Sequence, residues 1–228
     1  MTNDTIEHLI DSLNAGQMSD RVYISSLTPK VDYARAWLEQ RADGTPDRHS
    51  YEFYLIRDSD GLYVGAVLDM DYDLHVFVKP SHRKRGHLCT ALDETILPRL
   101  LQRGRTVQTL SFVNPEVASY FVRRLGFQMT PEGPGNGSIH AQKDLSVYAA
   151  SPAIEPKYTG LSEGGFNAAE LRIKEARRLL NMVKEQIEAA YGSLDSLIIE
   201  ELIEDLADLP YDIRELMQKK GPAGPIAE

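Results

Sequence analysis

An α/β fold, with a mixed central sheet flanked by helices and a C-terminal α-helical appendage, is predicted by three observations. Between residues 51 and 143, β-branched and aromatic runs alternate with turn chemistry and then with two helical periods. At 76–92, VFVKPSHRKRGHLCTAL, an apolar strand runs directly into a basic turn bearing Gly86 and then into a helix. Beyond residue 165 the strand signal disappears and long amphipathic helical periods take over. The expected organisation is a sheet domain over 1–148, a linker over 149–165 and a helical hairpin over 166–228.

Taken in order, Ile6, Leu9, Ile10 and Leu13 fall at helical spacing and predict a short amphipathic helix, followed by a short strand over 22–25. Thr28 and Pro29 read as an N-cap and first turn, with Val31, Ala34, Trp37 and Leu38 continuing a helix that ends near Gly44 and Pro46. Residues 51–57 and 62–68 are strands joined by the turn Asp58-Ser59-Asp60-Gly61. A further turn over 69–73 leads into the strand 74–78. Leu88, Ala91, Leu92, Ile96 and Leu100 then carry a helix whose last turn Pro98 should kink or loosen. A strand over 107–113, a helix capped by Asn114-Pro115 and ended by Gly126, and a final hairpin around the loop 131–137 complete the domain. Helices that connect strands impose a parallel pair while the earlier meander is antiparallel, so the sheet is mixed.

The linker expectation rests on Pro152, Pro156, Gly160, Gly164 and Gly165. After it come helical periods over 170–191 and 194–209 and a third short helix over 211–219. Such a hairpin cannot bury both of its apolar faces alone, so it must pack on the first domain, on a second copy or on another protein.

Composition narrows the function classes. With 42% hydrophobic and 26% charged residues, the 228-residue chain is an ordinary globular one. A net charge of −9 argues against a generic nucleic-acid binder. No window is long and apolar enough to cross a bilayer, and no basic n-region precedes an apolar core, which predicts a cytoplasmic protein. The single cysteine, Cys89, rules out an internal disulfide and reads as a small buried filler. No histidine pair has metal-ligand spacing, so no metal is expected. The charge is lopsided: Lys79, Arg83, Lys84, Arg85, Arg99, Arg103 and Arg105 cluster around the turn, whereas the residues after 194 are strongly acidic.

The turn itself has the makings of an anion site. Unbonded N–H groups at a helix start, the positive end of the helix dipole and the cations Arg83, Lys84 and Arg85 converge on one spot. Two segments together give the turn a family likeness. Val78-Lys79-Pro80 running into Arg83-Lys84-Arg85-Gly86-His87-Leu88 resembles the acyl-CoA pyrophosphate turn of the GNAT N-acetyltransferase superfamily. The helix ending in Leu125-Gly126-Phe127 is similar to that family's second signature, with one strand between the two motifs. The resemblance implies a GNAT-like core over 51–143 and acetyl-CoA as cofactor, with its pyrophosphate at Arg83, Lys84, Arg85, Gly86, His87 and Leu88. It also implies pantetheine lying like an extra strand beside Val76 and Val78, with Asn114 nearby.

The chain departs from the family pattern at Leu88, in the last Gly/Ala slot of the turn, and at Lys84, in a slot often held by glycine. It departs again at Val122, which stands where a general-acid tyrosine is frequent; Tyr120 lies roughly 200° away around the helix and substitutes poorly. For the general base that must deprotonate an amine, His75, Asp73 and Asp71 are the candidates, with His140 a weaker one. The function so implied is an acyl-CoA-dependent N-acetyltransferase acting on an amine of a small molecule or protein, the acidic appendage favouring a basic acceptor. The alternative is a catalytically degenerate GNAT-like assembly protein, for example a bacteriophage virion component, docking through 166–228 as a homo-oligomer or onto another protein. Its place would then be the host cytoplasm or the virion. DNA-base modification is disfavoured by the acidic balance.

Overall fold

The computed structural model describes residues 1–17, 21–37, 50–130, 139–157, 160–192 and 197–220. The chain divides into two compact units, 1–157 and 158–228.

The first unit is built on a mixed eight-stranded sheet. Its elements are α1 (Asn3–Asn14), β1 (Val22–Thr28), β2 (Val31–Ala36), β3 (Tyr51–Arg57), β4 (Tyr63–Met70) and β5 (Asp73–Val78). After a 3₁₀ turn at Pro80–His82 come α2 (His87–Ala91) and α3 (Leu97–Gln102), then β6 (Val107–Phe112), α4 (Pro115–Leu125), β7 (Gln128–Met129) and β8 (Ile139–Asp144). Spatial order is β1-β2-β3-β4-β5-β6-β8-β7, with β5 and β6 the parallel pair and the other neighbours antiparallel. Two apolar layers result. On one face Leu74, Leu92, Ile96, Leu110, Phe121 and Phe127 form a core with the helices α2 to α4. On the other, Ile6, Leu9 and Ile10 of α1 pack on Phe53, Leu55, Leu68 and Phe77. The GNAT-like order expected over 51–143 is present: antiparallel meander, helix, parallel strand, helix and closing hairpin.

Several sequence expectations are corrected. Residues 31–36 are not helical but form β2, an inner strand laddered on both sides by β1 and β3. Thr28 does not cap a helix; its hydroxyl accepts the Val31 N–H across a tight turn at Pro29-Lys30. Buried Val31, Asp32, Ala34 and Ala36 suit a strand covered on both faces, and the ladder outweighs the apparent helical spacing. The helix end expected at 44–46 and the loop 131–137 lie outside the described residues. Pro98 loosens the helix without ending it: lacking an N–H for the Glu94 carbonyl, it follows a turn widened to π geometry at Leu92–Ile96, and the helix runs on from α2 into α3. Residues 149–157 are tied to the sheet domain, because Ile154 is buried and the Lys157 N–H donates to the Ser26 carbonyl at 2.9 Å.

The second unit is an antiparallel pair, α5 (Glu163–Tyr191) and α6 (Leu197–Lys220). Ser162 caps α5, its hydroxyl accepting the Gly165 N–H at 3.0 Å. Lys184 pairs with Glu200 near the connection, and the Arg214 guanidinium sits 4.5 Å from the Phe166 ring centre at the other end. The third helix expected at 211–219 is the continuation of α6 through Pro210.

Candidate functional site

The basic turn owes its shape to two left-handed residues. Gly86 has φ 86° and caps α2, a conformation free of Cβ strain only for glycine. Lys84 has φ 62°, so the slot often held by glycine keeps a glycine's backbone here without the glycine. The result is a tight reversal after β5 that starts the helix with the N–H groups of His87, Leu88 and Cys89 ahead of the first helical bond, Thr90 N–H to Gly86 O at 3.0 Å. Arg83 Nε donates to the Val78 carbonyl at 3.0 Å and locks the turn to the strand end. Lys79 is engaged by Asp11 of α1, and the His82 ring lies 3.7 Å from the Asp58 carboxylate. Lys84 and Arg85 are exposed, and among the described residues neither has an ion-pair partner. Leu88 is half-buried and packs on the core cluster, with its backbone N–H in the first turn.

Beside the turn, the parallel strands part. β5 and β6 are paired only at Asp73 with Thr109. Two residues on, the Ser111 N–H is taken by the Asp73 carboxylate at 3.1 Å instead of by strand backbone. From there to the turn the β6-facing edge of β5, including Val76 and Val78, has no ladder partner. The wedge therefore opens toward the loose cations, and exposed Val113, Val117 and Tyr120 border the α4 side of its mouth.

The candidate bases divide. His75 Nε2 donates to Asn3 Oδ1 at 2.8 Å, which leaves the lone pair on Nδ1. Burial lowers its pKa, helped by the N-terminal ammonium and opposed by Asp73, so the imidazole is neutral at physiological pH. Asp73 spends one oxygen on the N–H groups of Leu74 and Ser111, which makes it a prop between the strands. Asp71 lies in the exposed turn at the far end of β5, with φ 65°. His140 Nδ1 is 2.9 Å from Ser111 Oγ, so Asp73, Ser111 and His140 form one chain of contacts across β5, β6 and β8. Sequence reasoning did not single out Ser111 or Asn3, since only the strand register and the return of α1 bring them to these partners.

Asn114 is a helix cap, its Oδ1 accepting the Glu116 N–H at 2.8 Å. Val122 is half-buried against the core. Tyr120, from the same helix, reaches the other way to Cys89 Sγ at 3.5 Å, and its pKa is raised by that thiol.

No protein-family model and no curated protein matches the sequence. Among solved structures the chain is similar to a chimeric spermidine N-acetyltransferase from Vibrio cholerae, at 15% identity over 43% of this chain and 69% of that one, with a TM-score of 0.35. A Vibrio cholerae spermidine N-acetyltransferase variant matches at 13% identity over 65% and 93% of the two chains, with a TM-score of 0.39. A protein described as an acyl-CoA N-acyltransferase from Klebsiella pneumoniae matches at 19% identity over 61% and 88%, with a TM-score of 0.36.

Proposed function

We propose that the chain is an acyl-CoA-dependent N-acyltransferase that moves an acetyl group to an amine. The observation that carries this reading is the junction of an unpaired strand edge with a turn whose N–H groups and loose cations converge, both ending at Val78. A pyrophosphate needs several converging N–H donors plus positive charge, and a pantetheine arm carries amides that an open strand edge can bond. The residues fit both halves of that ligand. Lys84, Arg85 and the N–H groups of His87, Leu88 and Cys89 would hold the phosphates, while Val76 and Val78 would offer backbone to the arm.

Acetyl-CoA would supply the activated thioester and the thiol leaving group. The chain's own part is to bind, orient and move one proton. His75, neutral and with Nδ1 unprotonated, takes the proton of the incoming ammonium so that the amine can attack. Asp73 holds β6 at a fixed spacing from β5 at the narrow end of the wedge. Val122 has no ionisable group, so this side chain would give the thiol leaving group no proton.

Calorimetric titration with acetyl-CoA tests the reading. Micromolar binding is expected for the wild-type chain, and the Arg83→Ala/Arg85→Ala pair should weaken it at least tenfold. No binding at millimolar cofactor would rule the proposal out.

A pH profile tests the base. Because the His75 pKa lies below the ordinary 6.5, the acid limb of kcat/KM should have its midpoint under 6.5. The same shift means that the folded state holds the proton less tightly than the unfolded one. Its stabilising contribution is therefore present above 6.5 and is lost as pH falls through the folded pKa. His75→Gln should remove the limb while leaving acetyl-CoA affinity intact. A midpoint at or above 6.5, or a limb that survives the substitution, would discard His75 as the base.

A further inference from the structure

One row of polar side chains crosses the sheet at the closed end of the wedge. Counted from the Asp73–Thr109 rung, His75 on β5 and Ser111 on β6 are both two residues on, and Ser111 is paired with His140 on β8. Their sequence neighbours Leu74, Leu110 and Ala141 point into the core with α2 to α4, so His75, Ser111 and His140 all stand on the opposite face. Ile6, Leu9 and Ile10 of α1 cover that face over β3 to β5, and Ser111 beyond them is exposed.

Direct transfer to an amine needs one base, whereas this row holds two imidazoles with a hydroxyl between them. His75 is bonded to Asn3 at 2.8 Å, and Ser111 Oγ lies 2.9 Å from His140 Nδ1. A hydroxyl and a base within hydrogen-bond reach are the diagnostic pair of covalent catalysis. Asp73 fixes the backbone of that hydroxyl by accepting the Ser111 N–H at 3.1 Å. The Lys79 N–H faces β4, so by alternation along the strand the Val76 N–H faces the wedge. There the ladder gives it no partner, and it can bond an oxygen that gains negative charge. An acyl arm entering from the basic turn can run no farther than the rung, which brings its thioester end to Ser111.

We propose that Ser111 carries the acetyl group between the two substrates, with His140 as its base, an assignment that rests on the acyl-CoA reading of the turn. In the first half-reaction His140, with its own proton on Nε2, takes the Ser111 hydroxyl proton at Nδ1 while Oγ bonds to the thioester carbon. The C–S bond breaks and the sulfur leaves with that proton, which Val122 does not offer. In the second half-reaction His75 takes one proton from the ammonium, the amine nitrogen bonds to the ester carbon, and the C–Oγ bond breaks. The proton the nitrogen then sheds returns through His140 to Oγ and restores the hydroxyl. Each half-reaction has its own base, one on either side of the serine.

Calorimetric titration with acetyl-CoA, followed by incubation of the full-length chain with acetyl-CoA and no acceptor, tests this. Peptide mass spectrometry on the acid-quenched protein should find one added acetyl group on Ser111, and isotope-labelled CoA should exchange into acetyl-CoA. Ser111→Ala should still bind acetyl-CoA and lose both signals. His140→Gln should slow the exchange about a hundredfold, a usual contribution of a general base. Binding without acetylation of Ser111, or exchange that survives Ser111→Ala, would overturn the relay and leave the cofactor site standing. Absence of binding would overturn the cofactor site and the relay with it.

Discussion

Asp32→Ala should lower the unfolding free energy of the sheet domain by about 3 kcal/mol, the loss expected when one member of a buried charge pair is removed. Asp32 is fully buried on β2, and its Oδ2 accepts hydrogen bonds from Arg57 Nη2 and, at 2.6 Å, from the Tyr63 hydroxyl. The Tyr63 pKa is pushed up to about 12, by burial first and then by its bond to Asp32, so the phenol remains a donor across the working pH range. Alanine would leave a guanidinium and a phenol facing an apolar void. The size of the loss separates two accounts. If the missing partner matters most, Asp32→Ala combined with Arg57→Met should recover more than half of the stability measured by urea unfolding. If lost packing matters most, the double variant will be no better than the single one. A single-variant loss under about 1 kcal/mol, the scale of an exposed ion pair, would show that the pair contributes little.

Gly65→Val should act on stability and on the turn together. Gly65 pairs with Val78 at the end of β5, and a Cβ placed on it would come within 2.8 Å of the Phe77 carbonyl oxygen. Backbone cannot yield as a side-chain tip can, so β4 and β5 must move apart where the basic turn begins. The expected cost is about 3 kcal/mol, the upper end for overpacking a well-packed site. For a domain of this size that is a fall in Tm of about 6–12 °C. Because the strain falls on Val78, acetyl-CoA affinity should drop at least tenfold at temperatures where the variant is still folded. Unaltered affinity in a folded Gly65→Val chain would mean that the strand end does not position the turn.

The sequence announced the turn, the parallel crossover and the two helical periods of the second unit because each is a local signal. Gly86 at a helix start, Asn114-Pro115 at another and Gly126 at its end need no distant partner to be recognised. β2 reads as helix in the sequence because Val31 and Ala34 stand three residues apart, a helical interval, whereas a strand covered on both faces shows no period of two, and only pairing with β1 and β3 decides. The site was legible by halves. The cations of the turn stand in one run of sequence, whereas the bonds that tune it, Asn3 to His75 and Asp73 to Ser111 to His140, depend on register and on the return of α1. Leu88 stands out in the sequence as a departure in the turn, and only the structure shows its side chain packed on the core. Tyr120 looked misplaced for the same reason: the wheel shows which way it leaves α4 but not that Cys89 is waiting there.

The lone rung between Asp73 and Thr109 makes the sheet a book with a very short spine. Its two leaves, β1 to β5 and β6 to β8, share almost no strand hydrogen bonds, so sideways load between them falls on one ladder position, on the side-chain bonds of Asp73 to Ser111, Gln108 to the Tyr72 carbonyl and Arg105 to Asp69, and on the apolar layer of α2 to α4. Such a layer gives way by sliding, whereas a full ladder fails only by tearing. A change in the angle between the leaves would therefore cost few backbone bonds, and it would open from the end where Asp73, Gln108 and Arg105 hold them together.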